Sequence, residues 1–66
     1  MKIYVNNKET DVSENMKVNE LALQLQLPDK GIALAVNNQM IPRTEWSNTT
    51  LKAESHVIII KAACGG

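Results

Sequence analysis

Val57-Ile58-Ile59-Ile60 stands near one end of a chain of 66 residues, and all four side chains are apolar and β-branched. Such a run marks a central strand whose two faces are both at least partly covered. The strongest companion signal lies at the other end. In Met1-Lys2-Ile3-Tyr4-Val5 the side chains alternate, with Ile3 and Val5 on one face and Lys2 and Tyr4 on the other, as a half-buried strand requires. These two strands are expected side by side in the middle of a sheet.

Working inward, Asn6-Asn7 reads as a turn, because asparagine tolerates a positive φ, and residues 9–12 return as the second arm of a hairpin. Val18, Leu21, Ala22 and Leu25 then recur at helical spacing and predict an amphipathic helix that Pro28 stops, with residues 29–31 supplying a turn. Ile32–Val36 predicts a third strand, with Ile32, Leu34 and Val36 on one face and Ala33 and Ala35 on the other. The small face is expected close to another backbone or to solvent. Asn37-Asn38 is a second hairpin signal, returning through Gln39, Met40 and Ile41 until Pro42 withholds its ladder hydrogen. An irregular segment over residues 43–50 carries Trp46, whose area suits a lid over one end of the core. The order is β-β-α-β-β-β, an α+β pattern with one main helix against one face of a mixed sheet. That is the β-grasp, or ubiquitin-like, arrangement.

Composition bounds what such a body does. At 7.3 kDa the chain holds one hydrophobic core, so residues 1–66 are expected to form a single domain with no room for a self-contained enzyme and its deep cleft. Leu, Ile and Val supply enough apolar surface for folding, although a domain of this size hides only about 60% of what its unfolded chain exposes. Seven basic and seven acidic side chains cancel, which leaves no field to gather nucleic acid or an anionic membrane. The longest apolar run, Ile32–Val36, is far short of the ~20 residues that cross a bilayer. One cysteine, Cys64, forms no internal disulfide, and no secretory pattern opens the chain, so the expectation is a cytoplasmic protein, monomeric when free. His56 is the only histidine, and no metal-ligand spacing or phosphate-cradling glycine loop occurs. No metal or cofactor is expected on the chain itself.

One helix covers one face of a sheet. If Val57 and Ile59 join Ile3 and Val5 inside, Ile58 and Ile60 emerge beside Tyr4 on the open face, and an exposed apolar patch on a small domain is most often a protein docking surface. The alternative is that residues 43–50 fold over that patch. The other candidate site is the end itself, Lys61-Ala62-Ala63-Cys64-Gly65-Gly66, which holds two of the three glycines in the chain. A side-chain-free diglycine enters a narrow channel and brings its carboxylate against groups inside. Residues 61–66, if extended, reach about 20 Å beyond the sheet.

With these residues together, the chain resembles the ThiS family of sulfur carriers of thiamine biosynthesis, within the ubiquitin-like proteins. The resemblance spans the whole length. It rests on Val18-Asn19-Glu20-Leu21 opening the helix, Ala33-Leu34-Ala35-Val36-Asn37 leading to a hairpin, Ile41-Pro42-Arg43 followed by Trp46, and terminal Gly65-Gly66. In one place the chain departs: the family tends to have an Asp-Gly-Asp turn before the last strand, and here Ala53-Glu54-Ser55 stands.

The resemblance implies that the protein is not an enzyme but a co-substrate. A ThiF-like adenylating enzyme would use ATP and magnesium to join Gly66 to AMP, with Gly65 giving the tail its freedom. A sulfur donor such as a cysteine desulfurase would then convert Gly66 to a thiocarboxylate, and a ThiG-like thiazole synthase would take the sulfur. Tyr4, Ile58, Ile60 and Cys64 are the candidate partner-binding residues, with Cys64 itself read as an incidental small side chain rather than a reacting group. The rivals are the small subunit of molybdopterin synthase, which shares the tail chemistry but tends to be longer, a modifier joined to lysines, and a β-grasp binding module with an inert tail.

Overall fold

The computed structural model describes residues 1–28 and 30–61. Its elements are β1 (Lys2–Val5), β2 (Lys8–Asp11), α1 (Val18–Gln24), β3 (Ile32–Val36), β4 (Gln39–Met40), a 3-10 helix (Arg43–Asn48) and β5 (His56–Lys61). The sheet runs β2-β1-β5-β3-β4, so β5 is central and β1 lies beside it. Among the described residues only the β1–β5 pair is parallel; the other three are antiparallel. This is the β-grasp order expected from the sequence.

Both hairpins close as the asparagine pairs predict. Asn6 and Asn7 have φ of 50° and 67°, and Asn37 and Asn38 have 51° and 70°, the two successive left-handed residues of a type I′ turn. The first asparagine of each pair does more than turn the chain. Asn6 Oδ1 accepts the Ile59 amide at 2.8 Å, and Asn37 Oδ1 accepts the His56 amide at 2.9 Å. Each turn is thereby tied to β5, and Asn6 adds a rung where β1 has already ended at Val5.

The core lies between the sheet and α1. Ile3 and Val57 from the two adjacent strands, Leu34 from β3, Val18 and Leu21 from α1, and Val12, Trp46 and Leu51 from the connections are all buried in one cluster. Val5, Ile32, Val36 and Ile59 pack against it from the same sheet face, which is the parity the alternation requires. The N-terminus of α1 is secured by one bond to a residue of the helix and one to a residue outside it. Glu20 accepts the Lys17 amide at 2.8 Å, and the Thr49 carbonyl accepts the Val18 amide at 2.9 Å.

Three local expectations are corrected. The helix does not run to Pro28. Leu25 caps it, Gln26 turns left-handed at φ 57°, and the Gln26 and Leu27 amides bond back to the Leu23 and Ala22 carbonyls, the paired bonds of a Schellman motif. The first hairpin's return strand begins and ends one residue earlier than residues 9–12. Residues 43–48 are not irregular but a 3-10 helix, and it packs beside α1 with Trp46 buried.

The departure at Ala53-Glu54-Ser55 keeps a tight turn by other means. Glu54 takes φ 64° and donates its amide to Lys2 O at 2.6 Å, while buried Ser55 accepts the Lys52 amide at 3.0 Å and donates its hydroxyl to Lys52 O at 2.7 Å. A left-handed residue with a Cβ costs about 1–2 kcal/mol, part of which glycine returns to the unfolded chain as entropy. Glu54→Gly should therefore raise stability by about 0.5–1 kcal/mol, or about 3–6 °C in a thermal melt of a domain this size. Gln26→Gly should act in the same direction. A lower melting temperature for either variant would refute the strain assigned to that position.

Candidate functional site: the open sheet face

Alternation along each strand decides what the sheet shows on the side away from α1. From β1 it presents Lys2 and Tyr4; from β5, His56, Ile58 and Ile60; from β3, Ala33 and Ala35; and from β4, Met40. The cross-strand register pairs Ala33 with Ile60, Ala35 with Ile58, and Ala35 with Met40. Small alanines on β3 leave the larger side chains of its neighbours standing out. Ile60 is 50% exposed and Met40 58%, while Ile58 is half-buried between them and the polar half of the face.

That polar half begins at a stack. The Tyr4 and His56 rings lie 4.8 Å apart and 16° from parallel, with Lys2 Nζ 5.9 Å from the Tyr4 ring and 3.9 Å from Glu9. The face therefore grades from charged groups on β2 and β1, through two stacked rings, to a purely apolar region on β5, β3 and β4. The apolar end is the end at which β5 leaves the sheet toward residues 62–66. A surface graded in this way suits a partner that docks by burying aliphatic side chains and takes its orientation from a polar margin.

Of the sequence-predicted site residues, Tyr4, Ile58 and Ile60 share this face. Gly65, Gly66 and Cys64 lie outside the described residues. The competing expectation, that residues 43–50 cover the patch, is not met. Trp46 is buried on the opposite side of the sheet, its Nε1 donating to Ile41 O at 2.9 Å, and Arg43 stacks over its ring at 4.5 Å. Trp46 thus closes the core, as expected, with Arg43 over its ring. Met40 was the residue missed. Its signal was present in the Asn37-Asn38 turn, whose two-residue loop fixes Met40 opposite Ala35 and so places it on the small-residue face. His56 is exposed at the start of β5, and among the described residues no cluster of His, Cys, Asp or Glu is placed to hold a metal ion. No helix among them is long and apolar enough to cross a membrane.

Comparison with known proteins agrees over the full length. The model of the ThiS family matches residues 1–66. The sulfur carrier protein ThiS of Escherichia coli (strain K12) is 29% identical over 66 residues, all of both chains. Among solved structures, the crystal structure of the thiamine biosynthesis protein ThiS from Geobacter metallireducens superposes with a TM-score of 0.87 at 26% identity, again over all of both chains. A solution NMR structure of a thiamine biosynthesis protein from the same organism gives 0.82 at 26% identity, with all of this chain and 88% of that one covered.

Proposed function

The chain belongs to the ThiS family, as a sulfur carrier protein of thiamine biosynthesis and a small substrate-like protein rather than a catalyst, and from that premise we propose that its reacting atom is the Gly66 carbonyl carbon. A free carboxylate is a poor electrophile, because its charge repels nucleophiles and neither oxygen leaves readily. In the proposed cycle a ThiF-like adenylating enzyme uses ATP and magnesium to form the Gly66–AMP mixed anhydride with loss of pyrophosphate. A persulfide sulfur on a donor, such as one charged by a cysteine desulfurase, attacks that carbonyl and expels AMP. The resulting acyl disulfide is opened by a second thiolate, which leaves as a disulfide with the donor and frees the Gly66 thiocarboxylate. A ThiG-like thiazole synthase then takes the sulfur into the ring.

The observation that carries this reading is continuity. The strand that ends in Lys61 and leads to Gly65 and Gly66 is the same strand that supplies Ile58 and Ile60 to the open face. A partner seated on that face covers the strand that precedes Gly65 and Gly66 in sequence by only a few residues, so docking brings the carboxylate within a short chain length of the partner. The chain supplies no ATP, metal or redox chemistry in this scheme; the partners do. The cytoplasm is the compartment that fits it, since a lone Cys64 thiol stays reduced there.

The test is intact mass. After incubation with ATP, magnesium, the adenylating enzyme and a persulfide donor, the chain should gain the mass of an oxygen-to-sulfur exchange and, on treatment with iodoacetamide, take up one carbamidomethyl group more than the unloaded chain, in which Cys64 is the one thiol. An unchanged mass would leave a binding module with an inert tail. Cys64→Ala should load sulfur to within about twofold of the parent chain, because the nucleophilic sulfur in the scheme comes from the donor. Complete loss of loading in this variant would instead make Cys64 a participant.

A further inference from the structure

The chain has three methionines, and the fold treats one of them differently. Met1 and Met16 pack against the core cluster and are only partly exposed. Met40 is 58% exposed on β4, the two-residue strand at the outer edge of the sheet. Its register partner is Ala35, whose other neighbour is Ile58, so the thioether belongs to the apolar end of the open face. The side chains that share that end, Ala33, Ala35, Ile58 and Ile60, carry no hydrogen-bond donor. Among these groups the thioether alone is made polar by mild oxidation.

We propose that Met40 is a reversible oxidation site, and that its sulfoxide weakens docking of the adenylating partner on the open face. The inference rests on the reading of that face as a docking surface. The oxidant is a peroxide. A sulfur lone pair attacks one oxygen of hydrogen peroxide and the O–O bond breaks. The departing hydroxide takes the proton from the oxygen left on sulfur, which gives methionine sulfoxide and water, with sulfur oxidised and peroxide reduced by two electrons. A methionine sulfoxide reductase reverses the step with two thiols, which become a disulfide as the oxygen leaves in water. In the free protein the sulfoxide oxygen is hydrated, because Met40 stands at an exposed edge, and the core cluster does not include this residue. Docking strips that water away, and the aliphatic side chains beside it return no hydrogen bond. The cost therefore falls on the complex and not on the fold. Exposure also makes the reaction selective: Met40 meets peroxide ahead of Met1 and Met16, whose side chains pack against the core.

The test uses the full chain, treated with hydrogen peroxide and then with dithiothreitol, which returns a disulfide or sulfenate of Cys64 to the thiol and leaves a sulfoxide intact. Peptide mapping by mass spectrometry should place the first added oxygen on Met40, with Met1 and Met16 oxidised at least about fivefold more slowly. Affinity for the adenylating enzyme, measured by calorimetry, should fall roughly tenfold or more while the melting temperature stays within about 1 °C. Methionine sulfoxide reductases for both sulfoxide epimers should restore it. Met40→Leu, compared with itself before and after the same treatment, should show no change in affinity. A fall in that variant would assign the loss to another oxidised residue and overturn the proposal. Equal oxidation of the three methionines would overturn it too. So would an oxidised chain that binds as the parent does while Ile60→Asp still lowers affinity, a result that leaves the docking face standing. If neither the sulfoxide nor Ile60→Asp lowers affinity, the docking reading falls together with the inference built on it.

Discussion

A chain ending at Gly65 takes up no sulfur. Incubated with ATP, magnesium, adenylating enzyme and persulfide donor, it keeps its mass while the full chain gains the oxygen-to-sulfur increment, and the two unfold at the same temperature to within about 1 °C. The loss does not follow from removal of a carboxylate, since Gly65 then carries one. It follows from reach. One residue of extended chain spans about 3.3 Å, and a displacement of only ~1 Å from a productive geometry already costs about a hundredfold in rate. Withdrawing the carbonyl by a full residue takes it out of range of any nucleotide phosphate fixed in a partner's site. Stability is untouched because the cluster that holds the fold together runs from Ile3 to Val57, with Ile59 packed against it. Loading of the shortened chain at the parent rate would move the reactive site elsewhere, and a lowered melting temperature would show that the terminal residue belongs to the folded body.

How far the sequence carried this reading depended on which physical term dominated at each position. At Asn6-Asn7 and Asn37-Asn38 the backbone requirement is local, since only a few residue types tolerate two successive positive φ values, and the turns are as read. The α1 stripe is equally local: Val18 and Leu21 are buried, and Ala22 and Leu25 pack against the core. The helix end was not local in the same way. Proline 28 is a strong breaker, but the paired Schellman bonds at Gln26 and Leu27 had already stopped the helix, and glutamine in a left-handed cap carries no sequence signature.

Which side of the sheet residues 43–50 would cover was undecidable from composition, because Trp46 would satisfy either face with its area. The deciding contact is its indole N–H to Ile41 O, a pairing that no periodicity announces. The tethering of β5 by the side chains of Asn6 and Asn37 was hidden for a related reason. Residues chosen for their backbone geometry carry a second role through an oxygen whose partner, Ile59 or His56, is remote in sequence. For the candidate site, Tyr4, Ile58 and Ile60 follow from strand parity alone, whereas Met40 needed the hairpin register as well.

Ile60→Asp separates the open face's role in recognition from any role in folding. Ile60 sits on β5 opposite Ala33 and is already 50% exposed, so an aspartate there keeps its carboxylate hydrated in the free protein. The expected destabilisation is about 1 kcal/mol, set by the poor strand propensity of aspartate and the loss of half a buried side chain. In a complex the same carboxylate is pressed against the surface that an isoleucine side chain used to fill, without a cation provided for it. An unpaired charge buried at the centre of an interface, together with the loss of an aliphatic anchor, costs about 2–4 kcal/mol, or roughly 30- to 1000-fold in affinity. Binding to the adenylating enzyme, measured by calorimetry, should fall by that factor while the melting temperature falls by a few degrees. Ile59→Asp is the matched comparison. Its side chain packs against the core from the other face of the same strand, so the variant should lose the cooperative melt altogether. If the two substitutions cost stability equally, the open face is core that happens to touch water, and the docking surface must be sought elsewhere.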